Sequence, residues 1–297
     1  MNNTFSAILI SFCLIALIPD ISSAQKADLK LRLNKGTRHI YTISQENQAI
    51  ENGKSVEVEQ KISLKIDHQI LSQLPNGNYQ VEVLFKRFSI AMKHSSNVLR
   101  YDSDTVDVSN PLYKTLNFLT GIKLNYEVTP EGVVSKLSGF EPIKKEVEKD
   151  PRLGNLLRNF GNERFILELY NYIPKREVEV GEKWKSPMVL PDLNDLKCDT
   201  RYLLKEVTPQ SLKLTQETSF QMSTDLPVAP DGTIAKVKET GTQIGTLVID
   251  PGTNMRLSSF VTQSANVVMT TKKASPAVET VKNLKLITKT TFELGKK

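Results

Sequence analysis

Between Val56 and Ile70 the side chains Val56, Val58, Gln60, Ile62, Leu64, Ile66, His68 and Ile70 fall on every second position, a run of 15 residues. A helix advances about 100° per residue and would scatter this set around its circumference, whereas an extended chain puts all eight on one side. At about 3.3 Å per residue the run spans about 50 Å. A strand this long with one apolar face needs neighbours on its edges and a cover over that face. Pro75-Asn76-Gly77-Asn78 is strong turn chemistry, and Tyr79, Val81, Val83 and Phe85 begin a returning strand. The apolar phase then slips to Phe88, Ile90 and Met92, which predicts a β-bulge near Lys86 and a bend in the sheet.

The same alternation recurs along the chain. Leu29, Leu31 and Leu33 alternate with charged residues, Lys35-Gly36 turns, and His39, Tyr41 and Ile43 follow, so two strands are expected there. A short strand is expected from Val98 to Tyr101, and a strand pair from Tyr202 to Val207 and Leu212 to Met222 around Thr208-Pro209-Gln210-Ser211. The chain closes on Leu284, Leu286, Thr288, Thr290, Phe292 and Leu294. Lys123–Val128 and Val133–Leu137 read as a hairpin around Pro130, and its strand, proline turn and basic-Leu-Ser-x-Phe order returns at Leu247 to Phe260. Val180-Gly181-Glu182 echoes Lys35-Gly36. Either the chain holds two similar halves, or antiparallel hairpins have reused the same turn residues.

Residues 140 to 174 break the pattern with helix starts and stops. Pro142 and Pro151 stand at first helical positions. Ile143 and Val147 share one face; Leu153, Leu156, Leu157 and Phe160 form a stripe; Phe165, Ile166, Leu169 and Tyr170 form another before Pro174. Gly161 stands where a left-handed residue ends a helix and Asn162 where a cap begins one. A fourth helix is expected after Asn110-Pro111, with Leu112, Leu116 and Leu119 on one side and Gly121 at its end. The predicted fold is mainly β with helices (α+β): a large curved antiparallel sheet or half-barrel, in two similar halves if the duplication holds, with short amphipathic helices packed on its apolar face.

Ala7 to Ile18 is an apolar run of about a dozen residues, too short for the roughly 20 of a membrane-spanning helix, and Ser22-Ser23-Ala24 follows as a small-x-small site. Residues 1–24 therefore read as a signal peptide, although Met1 to Ser6 holds no Lys or Arg. The remainder divides into an N-terminal β half (25–139), the helical insert (140–174) and a C-terminal β half (175–297), with the halves forming one continuous domain. Cleavage leaves Cys198 as the single cysteine, so no internal disulfide supports the exported chain, and no transmembrane segment remains. The net charge of +6 is spread without basic runs or basic-aromatic interleaving, which argues against nucleic acid as a partner. The expected location is the periplasm or the cell exterior.

No catalytic, metal or cofactor constellation is legible. His39, His68 and His94 lack the spacing of a helical zinc pair, and Asp102, Asp104 and Asp107 lack the glycine and glutamate of a calcium loop. They read as core or rim histidines and a solvated acidic turn. The nucleophile elbow and the phosphate-binding and dinucleotide glycine motifs are missing too. A hydrolase built on two spatially adjacent carboxylates stays open as a lesser alternative.

On the Gly36 and Tyr41 opening, Tyr101-Asp102-Ser103, the Val128-x-Pro-x-Gly hairpin and Val178-x-Val-Gly-Glu-x-Trp184, the chain resembles a domain-of-unknown-function family of exported β-rich proteins common in Bacteroidota. The resemblance implies export and a β-rich fold, and no activity. In architecture alone the chain is similar to the half-barrel carriers of lipoproteins in the bacterial envelope. The reading that follows is a non-catalytic envelope protein binding an apolar or amphipathic ligand, lipid or lipoprotein-like, with Leu116, Leu156, Phe160, Phe165 and His68 as its candidate contacts and no cofactor or metal. The alternative is a closed-core module whose partner is another envelope protein.

Overall fold

The computed structural model describes residues 25–51, 54–94, 97–105, 116–150, 153, 156–157, 160–186, 197–227, 234–274 and 277–295. The expected signal peptide and the Asn110-Pro111 helix start lie outside these residues. The strands are β1 (Lys26–Ala27), β2 (Arg38–Glu51), β3 (Lys54–Gln73), β4 (Tyr79–His94), β5 (Asn97–Asp102), β6 (Lys123–Val128), β7 (Val134–Ser138), β8 (Val178–Glu179), β9 (Lys183–Lys185), β10 (Lys197–Val207), β11 (Leu212–Pro227), β12 (Ile234–Ile249), β13 (Arg256–Ala274) and β14 (Ala277–Leu294). Among the described residues, the helices α1 (Glu141–Lys149) and α2 (Glu163–Leu167) stand between β7 and β8.

Short connections make consecutive strands antiparallel neighbours. The main sheet runs β7-β6-β4-β3-β2-β14-β13-β12-β11-β10-β9, with β5 also paired to β4, and its two ends do not meet. Two meanders, β2 to β7 and β9 to β14, thus join at a seam where β14 pairs with β2 from Leu294↔Tyr41 to Leu284↔Glu51. The chain between the end strands β7 and β9 carries both helices and β8, which pairs with β1 in a separate ribbon.

The predicted bulge is present. Lys65 pairs with Arg87 and Ile66 with Phe85, so Lys86 is the extra residue. It falls where β4 changes neighbour: Ser89–His94 pairs with β5 and Tyr79–Leu84 with β6. Lys86 also brings its Nζ to 4.0 Å from Asp67, a buried carboxylate that Arg38 already grips through Nε.

Two local expectations need correction. Leu29, Leu31 and Leu33 are buried in alternation, yet residues 28–35 are not a sheet strand. This extended segment binds two turns instead: Leu31 N–H donates to the Pro130 carbonyl (2.7 Å) and Arg32 N–H to that of Thr253 (3.0 Å). Asn254, held at a φ of 58°, donates its side-chain amide to the Asp28 and Lys30 carbonyls. The two proline turns that share a sequence pattern are therefore the two that grip this segment. Gly161 does not adopt a left-handed conformation; a Cβ there would lie 2.9 Å from Leu157 Cβ and 3.2 Å from Ile143 Cγ2, so it serves close packing.

Other helix signals act as read. Pro142 opens α1, and the Asn162 side chain accepts from Arg164 N–H at 3.0 Å to cap α2. Leu153, Leu157, Phe160, Phe165, Ile166, Leu169 and Tyr170 are buried, and the Phe165 ring meets Phe85 of β4 edge-on at 5.9 Å. These side chains belong to one core cluster with Ile66, Val81, Val83, Leu124 and Leu247.

Candidate ligand-binding cavity

Because side chains alternate across a strand, the odd positions of β2, β12 and β13 and the even positions of β3, β10, β11 and β14 share one face of the sheet. That face and the segment from Leu156 to Asn171 line a cavity of about 430 Å³, within the range of small-molecule sites.

The register gives the cavity its character. Gln60 of β3 stands opposite Asn47 of β2, Asn47 opposite Thr288 of β14, and Thr288 opposite Gln263 of β13. Gln263 is then opposite Gln243 of β12, Gln243 opposite Thr218 of β11, and Thr218 opposite Thr200 of β10. Seven neighbouring strands thus place an uncharged polar side chain in a single transverse row, about 29 Å long at 4.8 Å per strand. All seven line the cavity. Asn47 Nδ2 donates to Gln60 Oε1 (2.8 Å), Thr288 to Asn47 Oδ1 (2.9 Å), Gln243 to Gln263 Oε1 (2.7 Å) and Thr218 to Thr200 (3.0 Å). Gln60 Nε2 and Gln243 Oε1 make no hydrogen bond to another described residue.

An apolar row flanks this polar one. On one side Ala49, Leu286, Ala265, Gly241 and Phe220 stand opposite each other in turn. A Cβ on Gly241 would come within 2.7 Å of Phe220 Cζ, so the glycine makes room for that ring. On the other side the adjacent row is mixed, with Ile62, Gln45, Thr290 and Val261 opposite each other in turn; four residues along each strand from the polar row come Leu64, Ile43 and Phe292, with Leu156, Phe160 and Phe165 contributed by the helical segment.

Among the described residues, four charged side chains line the cavity. Arg164 pairs with Glu168, whose carboxylate raises the guanidinium pKa. Arg256 is stacked between the Tyr172 ring (5.4 Å) and the Phe292 ring (5.2 Å) and donates to the Glu168 carbonyl at 2.8 Å. Glu239, 5% exposed, accepts from Gln263 Nε2 at 3.2 Å. Two positive and two negative side chains leave the described lining formally neutral.

Of the candidate contacts, Leu156, Phe160 and Phe165 stand in the lining. Leu116 is buried in the core cluster away from it. His68 is fully buried, its Nε2 2.7 Å from the Tyr170 hydroxyl and 3.1 Å from that of Tyr126, with the hydroxyls 2.8 Å apart. Desolvation, aided by His39 directly across the strand pair, lowers the His68 pKa to about 3, and burial raises those of both tyrosines. The trio keeps its neutral-pH protonation and ties the helical segment to β3 and β6. Arg87 takes both Asp102 and Asp104, so the acidic turn is partnered by an arginine; Asp107 lies outside the described residues.

Sequence reading missed the polar row as a unit. Its trace was present in Gln60 and Thr288, polar residues in the apolar phase of their strands, but only the register aligns them.

An open antiparallel sheet with a ligand-sized, neutral cavity on one face defines the class of protein. The chain belongs to the family described as Family of unknown function (DUF6263), whose model matches residues 76–255. No curated protein matches it.

Proposed function

We propose that this is a non-catalytic binding protein of the cell envelope, which holds an amphipathic ligand, lipid or lipoprotein-like, between a half-barrel sheet and the helices packed against its concave face. The observation that carries this reading is the cavity itself: aromatic and aliphatic side chains from the helical segment face a sheet surface whose middle row is polar. An apolar ligand portion would lie against Phe160, Phe165 and Phe292, and a polar portion would reach the row. Export rests on the apolar run Ala7 to Ile18 and the Ser22-Ser23-Ala24 site, and predicts a mature chain that begins at Gln25.

Uptake of the fluorescent apolar probe N-phenylnaphthylamine tests the binding reading. Phe160→Ala should weaken uptake by more than its loss of stability accounts for. Parallel losses would leave Phe160 a packing role and favour the closed-core alternative, in which an envelope protein is the partner.

A further inference from the structure

We infer that the polar portion of the ligand is uncharged and rich in hydroxyl groups, so that the cavity takes a neutral glycolipid-class amphiphile in preference to an anionic lipid. This rests on the binding reading above. The whole chain carries +6, yet the cavity lining among the described residues sums to zero, and three of its four charges are partnered through hydrogen bonds or an ion pair at their charged atoms. Arg164 is spent on Glu168 and Glu239 is met by Gln263. Arg256 has no carboxylate partner among the described residues and its Nε is buried without an acceptor, but its two faces are covered by the Tyr172 and Phe292 rings and its guanidinium holds the Glu168 carbonyl. A buried carboxylate or phosphate would need a free cation or several aligned N–H donors, since an unpaired buried charge is far costlier than an unpaired dipole.

The polar row offers something else. Amide and hydroxyl side chains each both donate and accept, and they repeat at the strand spacing of about 4.8 Å across the cavity. A polyol headgroup has the same dual capacity at every hydroxyl. The spare donor on Gln60 and the spare acceptor on Gln243 give it an entry point of each kind. Ala49, Leu286 and Phe220 on one side of the polar row, and Phe160, Phe165 and Phe292 beyond the other, offer apolar surface to an attached chain.

Three twelve-carbon amphiphiles, dodecyl maltoside, dodecylphosphocholine and laurate, separate the possibilities when titrated calorimetrically into the full chain below their micelle concentrations. Dodecyl maltoside is expected to bind about tenfold more tightly than laurate, the equivalent of one or two hydrogen bonds. Gln243→Leu and, independently, Gln60→Leu should each cut that preference several-fold. Gln243→Lys should reverse it toward laurate. Phe160→Ala should weaken all three probes together. Laurate or dodecylphosphocholine binding as tightly as the maltoside, with Phe160 dependence intact, overturns the headgroup inference and leaves the binding reading standing. Failure of all three to bind overturns both.

Discussion

Thr288 donates its hydroxyl to Asn47 Oδ1 across the seam between β14 and β2, joining residues 241 positions apart in the chain. The same Asn47 oxygen accepts from Gln45 Nε2 at 2.8 Å, and Asn47 Nδ2 reaches Gln60 Oε1. Asn47 is thus the hub that binds the two meanders together inside the cavity. Asn47→Leu leaves three polar partners short and is expected to cost about 1–3 kcal/mol in urea unfolding. Thr288→Val, which removes a single donor, should cost about 1 kcal/mol.

Arg256 couples the helical segment to the sheet. Replacing it with Met keeps bulk but removes the stacking on Tyr172 and Phe292 and the hydrogen bond to the Glu168 carbonyl. A loss of about 1–2 kcal/mol is expected. Arg256→Lys should not restore it, because an ammonium cannot stack as a plane between two rings while holding that carbonyl. Denaturant midpoints of the two variants, measured side by side, check this.

The buried His68 makes stability depend on pH in a stated direction. Its folded pKa of about 3 lies below the ordinary value of 6.5, so between these values the unfolded chain binds a proton there and the folded chain does not. Stability therefore falls as pH falls through that window, by up to about 1.4 kcal/mol per unit from this residue. His68→Gln keeps a polar partner for Tyr126 and Tyr170 but cannot titrate. Urea unfolding at about pH 7 and about pH 5 should show a shallower loss for the variant than for the natural protein.

Gly241 underlies the apolar row that carries Phe220. In Gly241→Ala the new methyl meets Phe220 Cζ and the Ser264 carbonyl oxygen, and the backbone partner cannot yield as a side chain can. An overpacking cost of about 1–3 kcal/mol is expected. Phe220→Ala in the same chain relieves the ring contact alone, so partial recovery of the thermal midpoint separates the ring contact from the backbone contact.

Strand signals were strong wherever one face is buried, because a slip of one residue exposes the whole apolar set. The Val56 to Ile70 alternation and the phase slip at Lys86 therefore predicted β3, β4 and the bulge between them. The same rule misled at Leu29 to Leu33, where alternate burial arises against the Pro130 and Thr253 turns instead of within a sheet. Gly161 misled for a related reason: a glycine at a helix end can serve a left-handed cap or close packing, and sequence does not separate them. Of the cavity, the helical wall was legible as an apolar stripe, since Leu156, Phe160 and Phe165 lie close together in the chain. The polar row was not, because its seven members come from seven strands and meet only through register. His39 and His68, 29 residues apart, meet as cross-strand partners for the same reason.

The most direct test of a ligand-holding cavity is native mass spectrometry of the protein purified gently from the cells that make it, followed by organic extraction of what accompanies it. One amphipathic molecule per chain, depleted in Phe160→Ala, is the expected result. An unliganded mass in every preparation, together with no uptake of N-phenylnaphthylamine, would contradict it.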